Sequence, residues 1–269
     1  MKMNTLAGIS IITFATGLAS VHAQTIDGTL DGSYGSALSV QTVNTTWGSG
    51  TAASGGNQLD AAYGIISGGN LNLFFAGNTS DGNHLQVFLS DGRTGQSTFS
   101  GIGGQMTAQN GSIFSPGFSA TYAIDVNTYT GTIYAGLLDL IANTGGYAGA
   151  APDAGGTIGG VQFAVNNSSS AGTGSNTGAG ALAVTTGWEM SIPLSYLANP
   201  SSVEVLADIS NGGLSNQLLP PDGTVSGSTF NYGSTPGQYF TVTVAPEPTT
   251  LALTGLGGLA TLVAARRRK

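Results

Sequence analysis

The stretch NLNLFFAGN, residues 70–78, begins with alternating polar and apolar side chains and continues with apolar residues. Because successive side chains of an extended strand point to opposite faces, the pattern places Leu71, Leu73 and Phe75 on one face. The stretch HLQVFLSDG, residues 84–92, repeats the pattern and ends at an Asp-Gly pair, which favours a turn. Both stretches therefore predict β-strands with one face in an apolar core.

The same period of two recurs along the chain, between turns rich in Gly, Asn and Asp. Ten or so short strands of this kind predict an all-β fold, a single antiparallel β-sandwich of jelly-roll type, with long polar loops such as Thr94–Ser119. No segment of the body shows a sustained helical period, and PLSYLANP, residues 193–200, predicts a single helical turn. The residues expected in the core are Leu71, Leu73, Leu85, Val87, Ile124, Ile133, Phe163, Ile192, Val205 and Val242.

Composition restricts the chemistry that is open to this chain of 269 residues. The absence of cysteine excludes disulfides, thiolate metal sites and cysteine nucleophiles. Five of the six basic residues lie in the two ends, and residues 24–244 hold one, Arg93, against twelve acidic residues, a net charge of −11. Because a single cation cannot neutralise a row of phosphates, neither nucleic acid nor an anionic membrane surface is an expected partner of this body.

The N-terminus has the three parts of a secretory signal peptide. Lys2 supplies a positive charge, and Leu6–Leu18 is an apolar stretch interrupted only by small residues. The sequence VHA that follows is a small-x-Ala cleavage site. We therefore expect residues 1–23 to direct export and to be removed by cleavage between Ala23 and Gln24.

The C-terminus combines a Pro-Glu-Pro triplet, an uncharged segment and a basic cluster. The prolines favour an extended conformation, and a helix over residues 249–265 would be about 25 Å long, close to the ~30 Å of a bilayer core. Basic residues at its end would hold such a helix at the cytoplasmic face, with the body outside. The triplet and the cluster consist of Pro246, Glu247, Pro248, Arg266, Arg267, Arg268 and Lys269.

This tail resembles the PEP-CTERM sorting signal of Gram-negative and related bacteria, in which the same three parts follow in the same order. The resemblance covers residues 245–269. It implies that an exosortase, a membrane cysteine transpeptidase, recognises and removes the tail. An inner-membrane intermediate, held transiently by the helix at 249–265, would then be released to the cell surface or extracellular matrix. The expected domains are a signal peptide at 1–23, a β-sandwich at 24–244 and the sorting signal at 245–269.

Two short elements of the body resemble parts of family 9 carbohydrate-binding modules and DOMON-like sandwiches. The first, D-G-x-x-D-x-x-Y, consists of Asp27, Gly28, Asp31 and Tyr34. The second, G-x-E-x-x-I-P-x-x-x-L, consists of Gly187, Glu189, Ile192, Pro193 and Leu197. The resemblance implies a sandwich of this type and favours a glycan as the ligand.

Residues suited to catalysis or metal binding are sparse in the body. Its one histidine, His84, lies on the polar face of its strand without a nucleophile motif, so we interpret it as an exposed strand residue. Glu189 is interpreted as a polar strand residue, because nothing singles it out as a general acid. We expect no enzymatic activity and no cofactor. The Asp-Gly turns IDGTLDG and SDGNH leave structural calcium as the one open exception.

Aromatic side chains are the remaining candidates for ligand binding. A sugar ring can stack its apolar face on Trp or Tyr, while Asn, Gln and Asp bind its hydroxyls. Trp47, in the polar stretch NTTWGSG, is the first candidate, followed by Tyr34 and Tyr63. Tyr147 is a further loop or edge aromatic, whereas Trp188 is expected in the core. The sequence thus predicts an exported surface or matrix protein whose body binds extracellular polysaccharide without catalysis. The alternatives are a secreted carbohydrate-active hydrolase with paired carboxylates and a purely structural biofilm or coat component.

Overall fold

Fifteen β-strands form most of the regular structure in the residues that the computed structural model describes, which are 24–47, 56–168 and 177–245. Every pairing within the sheets is antiparallel, which confirms the all-β sandwich, although the strands outnumber the ten or so expected. The predicted signal peptide with Ala23, the helix at 249–265, the triplet and the basic cluster all lie outside the described residues. Within the described residues, no helix is long and apolar enough to cross a membrane.

The first sheet contains six strands. In spatial order they are β1 (Ser39–Val40), β2 (Gln58–Ser67), β3 (Asn70–Asn78), β10 (Gly187–Pro193), β9 (Val161–Val165) and β8 (Gly156–Ile158). A 3-10 turn at Leu194–Leu197 follows β10, as the stretch PLSYLANP predicts.

The second sheet contains seven strands. Six follow one another in the order β12 (Leu214–Leu219), β11 (Ser202–Ser210), β4 (His84–Ser90), β5 (Tyr122–Tyr129), β6 (Thr132–Asp139) and β7 (Thr144–Pro152). The seventh, β15 (Phe240–Thr243), pairs with the first half of β11, and β12 pairs with the second half. A separate hairpin joins β13 (Thr224–Ser226) to β14 (Thr229–Asn231).

Three hairpins turn through two residues that both have positive φ. The pairs are Gly68–Gly69 between β2 and β3, Thr130–Gly131 between β5 and β6, and Gly159–Gly160 between β8 and β9. This backbone conformation matches the right-handed twist of the flanking strands and is most accessible to glycine. These short turns fix the register of their strands, and so decide which side chains face the core.

The main core lies between the two sheets, and all ten residues predicted for it are fully buried. It contains residues of both sheets, such as Leu73 of β3 and Val87 of β4. Trp188 is 2% exposed and belongs to this cluster, which confirms its expected place in the core.

The outer face of the second sheet is also partly buried, because the connection at 94–119 folds over it. Phe88 of β4 points to this outer face, and its ring centroid lies 5.1–5.4 Å from those of Phe99, Phe114 and Phe230. The expected polar loop is therefore an ordered layer that builds a second apolar cluster.

A third, smaller cluster covers the outer face of the first sheet. Phe74 of β3 packs there with Tyr34, Tyr63 and Val184. Tyr34 ends a 3-10 turn at Gly32–Tyr34, and Val184 follows the short helix α1 (Ala179–Leu182). Both sheets thus bury parts of both faces, although the alternation in sequence predicts only one buried face.

Candidate functional site

A buried carboxylate joins the N-terminal segment to the first sheet. Glu189 Oε2 accepts hydrogen bonds from the backbone N–H groups of Asp27 and Gly28, each at 2.9 Å. Its other oxygen, Oε1, accepts a hydrogen bond from Tyr34 Oη, also at 2.9 Å. We call these four residues the N-terminal clasp. The two elements that carry the carbohydrate-binding-module resemblance therefore meet at one carboxylate.

The clasp requires glycine at position 28. Gly28 has a φ of +77°, and a Cβ there would lie 2.5 Å from the backbone nitrogen of Asn166. Its carbonyl oxygen accepts a hydrogen bond from the N–H of Gly187 at 3.0 Å. A side chain would push the N-terminal segment away from the end of β9, so this motif position has a structural cause.

Glu189 is fully buried, and each of its oxygens already has a protein donor. Burial raises the pKa of Glu189 to about 6, against the opposing effect of these three hydrogen bonds. Glu189 is a polar residue on the outer face of its strand, as the sequence predicts, and the N-terminal segment covers it. The geometry makes it a structural group rather than an accessible acid.

Two of the three predicted glycan-binding aromatics are buried. Tyr34 is 5% exposed and Tyr63 is 4% exposed, and their ring centroids lie 6.1 and 6.0 Å from that of Phe74. The expectation that these rings are open to a ligand is therefore wrong, because they pack in the third cluster. Trp47 is half-buried and packs against the main core, and its role in binding stays a prediction.

A polar pocket of about 310 Å³ lies on the outer face of the second sheet, beside residues 104–109. His84 Nδ1 lies 2.9 Å from Asp125 Oδ1, and the His84 side chain is 33% exposed. Gln86 Nε2 donates to Asp125 Oδ1 at 3.3 Å and to Gln109 Oε1 at 3.4 Å. His84 is thus a paired, partly exposed residue rather than a free one. The polar side chains of the lining are His84, Gln86, Gln105, Thr107, Gln109, Asp125 and Ser210.

Three tyrosines lie on the same outer face, next to the polar pocket. The antiparallel register connects them to two residues of the pocket, His84 and Asp125. His84 pairs with Asn127, which pairs with Tyr134. Asp125 pairs with Gly136, which in turn pairs with Tyr147. Directly opposed residues point to the same face of a sheet. Tyr129, two residues beyond Asn127, points to this face as well.

This tyrosine face, which we define as Tyr129, Tyr134 and Tyr147, is accessible to ligands. Tyr129 is 57% exposed, Tyr147 is 60% exposed, and Tyr134 is half-buried. Gly136 leaves room beside Tyr147, and the Gln105 side chain fills it, since a Cβ on Gly136 would lie 2.9 Å from Gln105 Oε1. Aromatic rings and amide groups therefore form one continuous surface.

A second cavity of about 460 Å³ lies beside β8, β9 and Gln24. Its lining contains no titratable side chain, and its one aromatic residue, Phe163, is fully buried in the main core. It is larger than the polar pocket but has fewer groups for recognition, so the tyrosine face and the polar pocket are the better candidate.

Comparison with known proteins identifies the tail. Residues 244–269 match the family of the PEP-CTERM protein-sorting motif. The chain carries a PEP-CTERM sorting motif. Searches of curated proteins and of solved structures found no match.

The PEP-CTERM motif indicates an exported protein that an exosortase recognises and processes. It also indicates a destination in the cell envelope or at the cell surface. The resemblance of the body to family 9 carbohydrate-binding modules stays a prediction, although the body has the expected β-sandwich fold.

In each of the two turns considered for calcium, a carboxylate accepts a hydrogen bond from a backbone N–H group. Asp27 Oδ1 accepts a hydrogen bond from the N–H of Thr29 at 2.8 Å, and Asp81 Oδ2 accepts one from the N–H of Thr130 at 3.1 Å. In the described part of the chain, no group of three or more His, Asp or Glu side chains is placed to hold a metal ion.

Sequence reasoning missed Tyr129 and Tyr134, although the signal was present. In NTYTGTIYAG, residues 127–136, alternation along each strand places both tyrosines on the face that does not carry the core residues Val126 and Ile133. The sequence places them on the outer face, but it does not show that the connection at 94–119 covers Phe88 and leaves the tyrosines open. That distinction depends on tertiary packing.

Proposed function

We propose that the exported body is a non-catalytic module that binds a neutral glycan through the tyrosine face and the polar pocket. The observation that carries the proposal is the placing of Tyr129, Tyr134 and Tyr147 on one open sheet face beside a pocket of amide and carboxylate groups. Extracellular polysaccharide at the cell surface is the corresponding partner, and export through the sorting motif would bring the module to it.

The chemistry of this surface suits a sugar chain. Exposed tyrosine rings offer flat apolar surface for the C–H faces of sugar rings. His84, Gln105 and Thr107 line the pocket and are partly or fully exposed, so they offer both donors and acceptors to hydroxyl groups. The negative body and the carboxylate in the pocket repel anionic polymers, which favours a neutral glycan over an acidic one.

The arrangement of carboxylates supports binding rather than hydrolysis. Asp125 and Asp208 share the outer face two strands apart, about 9.5 Å at the usual strand spacing, which is near the upper limit for an inverting glycosidase. Asp208 is fully buried, however, and Glu189 is enclosed by the N-terminal clasp. Neither carboxyl group is placed to meet a substrate together with Asp125.

A glycan array with the exported protein, purified from its host, tests the proposal. We expect Tyr147→Ala and Tyr134→Ala each to weaken binding to the retained glycan. By analogy with base–aromatic stacking of about 1–3 kcal/mol per ring, the loss is about 5- to 150-fold. The melting temperature of Tyr147→Ala should stay close to that of the wild type, because this side chain is 60% exposed.

Two further variants separate the candidates. Leu182→Ala changes an exposed apolar residue outside this surface and should leave binding unchanged. Trp47→Ala tests the aromatic residue that the sequence predicts as the binding site. If this variant abolishes binding and Tyr147→Ala does not, the site lies at Trp47 instead of the tyrosine face. If the wild type retains no glycan, a structural matrix component becomes the better description of the body.

A further inference from the structure

A row of polar side chains crosses three strands beneath the polar pocket. Asp208 of β11 lies directly opposite Gln86 of β4, and Gln86 lies directly opposite Asp125 of β5. Opposed residues in antiparallel strands have Cβ atoms about 4.5–5.5 Å apart and share a face of the sheet. The three side chains are therefore neighbours in the order Asp208, Gln86, Asp125.

Hydrogen bonding in this row is complete at one end and missing at the other. Gln86 Nε2 donates to Asp125 and Gln109, whereas Gln86 Oε1 is buried without a hydrogen-bond partner. Asp208 is fully buried, and neither of its oxygens has a donor. Two sets of acceptors thus face each other with no hydrogen between them, an arrangement that is costly when buried.

A proton on Asp208 resolves this conflict. A protonated carboxyl group has one O–H donor, and Gln86 Oε1 is the unpaired acceptor opposite it in the register. We propose that Asp208 is a neutral carboxylic acid that donates a hydrogen bond to Gln86 Oε1 and thereby fixes the Gln86 amide, so that its NH₂ group holds Asp125 beside His84. Asp208 is then a positioning residue of the polar pocket.

The surroundings of Asp208 favour the neutral form. Burial, followed by the negative charge of Asp125, raises the pKa of Asp208 well above its usual value. The other titratable groups near it are His84 on β4 and, beyond β14, Tyr232, whose pKa is raised by burial and by Asp208. The one Lys or Arg side chain among residues 24–245, Arg93, pairs with Asp91, so it does not compensate Asp208.

The proposal fixes the sign of a pH effect. Above pH 3.8 the unfolded chain ionises Asp208, whereas the folded protein keeps the proton until its raised pKa is reached. Stability from this group is complete below the unfolded pKa and is lost as pH rises towards the folded pKa. One retained proton makes the unfolding equilibrium constant rise tenfold per pH unit in this window.

The test compares Asp208→Asn with Asp208→Leu in the full chain. The asparagine variant keeps a donor for Gln86 Oε1 but has no proton to release. The logarithm of its unfolding equilibrium constant should therefore rise with pH with a slope lower by one than that of the wild type. Asp60 and Glu189, whose pKa values are also raised, contribute equally to both proteins and cancel in the difference.

The ¹⁵N resonances of the His84 ring supply a readout that stability alone would not move. Asp208→Asn should preserve the wild-type spectrum, and Asp208→Leu, which removes the donor while keeping similar volume, should shift it. An unchanged pH slope in Asp208→Asn, or the same His84 spectrum in both variants, would overturn the proposal. So would a calcium-induced rise in the melting temperature of the wild type that Asp208→Asn abolishes, because the buried oxygens would then be cation ligands.

Discussion

Tyr34 Oη and Glu189 Oε1 lie 2.9 Å apart although 155 residues separate them along the chain. This hydrogen bond closes the N-terminal clasp over the first sheet, where Glu189 also accepts two backbone N–H groups. The motif elements that suggest a carbohydrate-binding module thus hold the fold together. The surface suited to a ligand is on the other sheet.

Tyr34→Phe tests the clasp directly. The change leaves the ring in place but leaves Glu189 Oε1 buried without its donor, so we expect the free energy of unfolding to fall by about 1–3 kcal/mol. Urea denaturation measures it. Tyr63→Phe is the matched control, because Tyr63 packs on the same Phe74 ring and makes no hydrogen bond through its hydroxyl within the described residues. Equal effects of the two variants would contradict a special role for the Tyr34 hydroxyl.

The sequence allowed the main core to be predicted because that face obeys a simple alternation. Leu71 and Leu73, or Leu85 and Val87, appear at every second position and meet between the sheets. The outer faces could not be predicted in the same way. From its position in the strand, Phe88 would be an apolar residue on a solvent-facing side of the sheet. In the structure the connection at 94–119 covers it, and this contact between distant segments produces no periodic pattern in the local sequence.

At the candidate site, too, the sequence predicts the face on which a residue lies but not whether the residue is exposed. The motif contains both Tyr34 and Glu189, but a motif does not distinguish a residue that binds a ligand from one that holds a segment in place. Asp125 and Asp208 carried no signal at all, because their relationship comes from the register of β11, β4 and β5. Side-chain alternation gives the face of a residue, and tertiary packing decides its exposure.

Phe114→Ala tests the second apolar cluster. The Phe114 ring packs against Phe88, Phe99 and Phe230 at centroid distances of 5.2–6.3 Å, so its removal should cost about 3–5 kcal/mol of unfolding free energy. Ile113→Ala is the matched control, since Ile113 is the preceding residue and is 40% exposed. Hydrogen exchange should show faster opening of residues 94–119 in Phe114→Ala alone. Similar exchange in both variants would mean that this cluster does not hold the connection.

Asp60 predicts a second, independent pH effect. It lies at the irregularity between Leu59 and Ala61, is fully buried, and neither of its oxygens has a hydrogen-bond partner. Burial raises the pKa of Asp60 from 3.8 to about 8. The folded state therefore keeps a proton that the unfolded state loses, and stability falls as pH rises from about 4 to about 8, by about 1.4 kcal/mol per pH unit from this group.

Asp60→Asn should remove that contribution and flatten the dependence of the unfolding free energy on pH. Urea denaturation at several pH values between about 5 and 8 measures the slope for both proteins. The double variant with Asp208→Asn should flatten it further, because each carboxyl group contributes separately. A slope in Asp60→Asn equal to that of the wild type would show that Asp60 is ionised in the folded protein.

Replacement of the Pro-Glu-Pro triplet tests the sorting motif. With Pro246, Glu247 and Pro248 all changed to alanine, exosortase recognition should fail, and the protein should accumulate in the membrane fraction with its tail attached. Intact mass of the protein recovered from its host measures the processing at both ends. Thr243→Ala, at an exposed position of β15, should be processed normally. Release of the triplet variant with its tail removed would contradict the assignment.

Trp47→Ala decides whether this residue serves the core or a ligand. Because Trp47 is half-buried and packs against the main core, the change should lower the free energy of unfolding. The loss should be about 1–3 kcal/mol, below the ~3–5 kcal/mol typical of a fully buried aromatic residue. Val43→Ala, at an exposed position nearby in the chain, should change stability by less than about 0.5 kcal/mol. Calorimetry and glycan retention, measured on the same samples, separate the two roles: a lower melting temperature with unchanged retention places Trp47 in the core, and the reverse result would return it to the binding site.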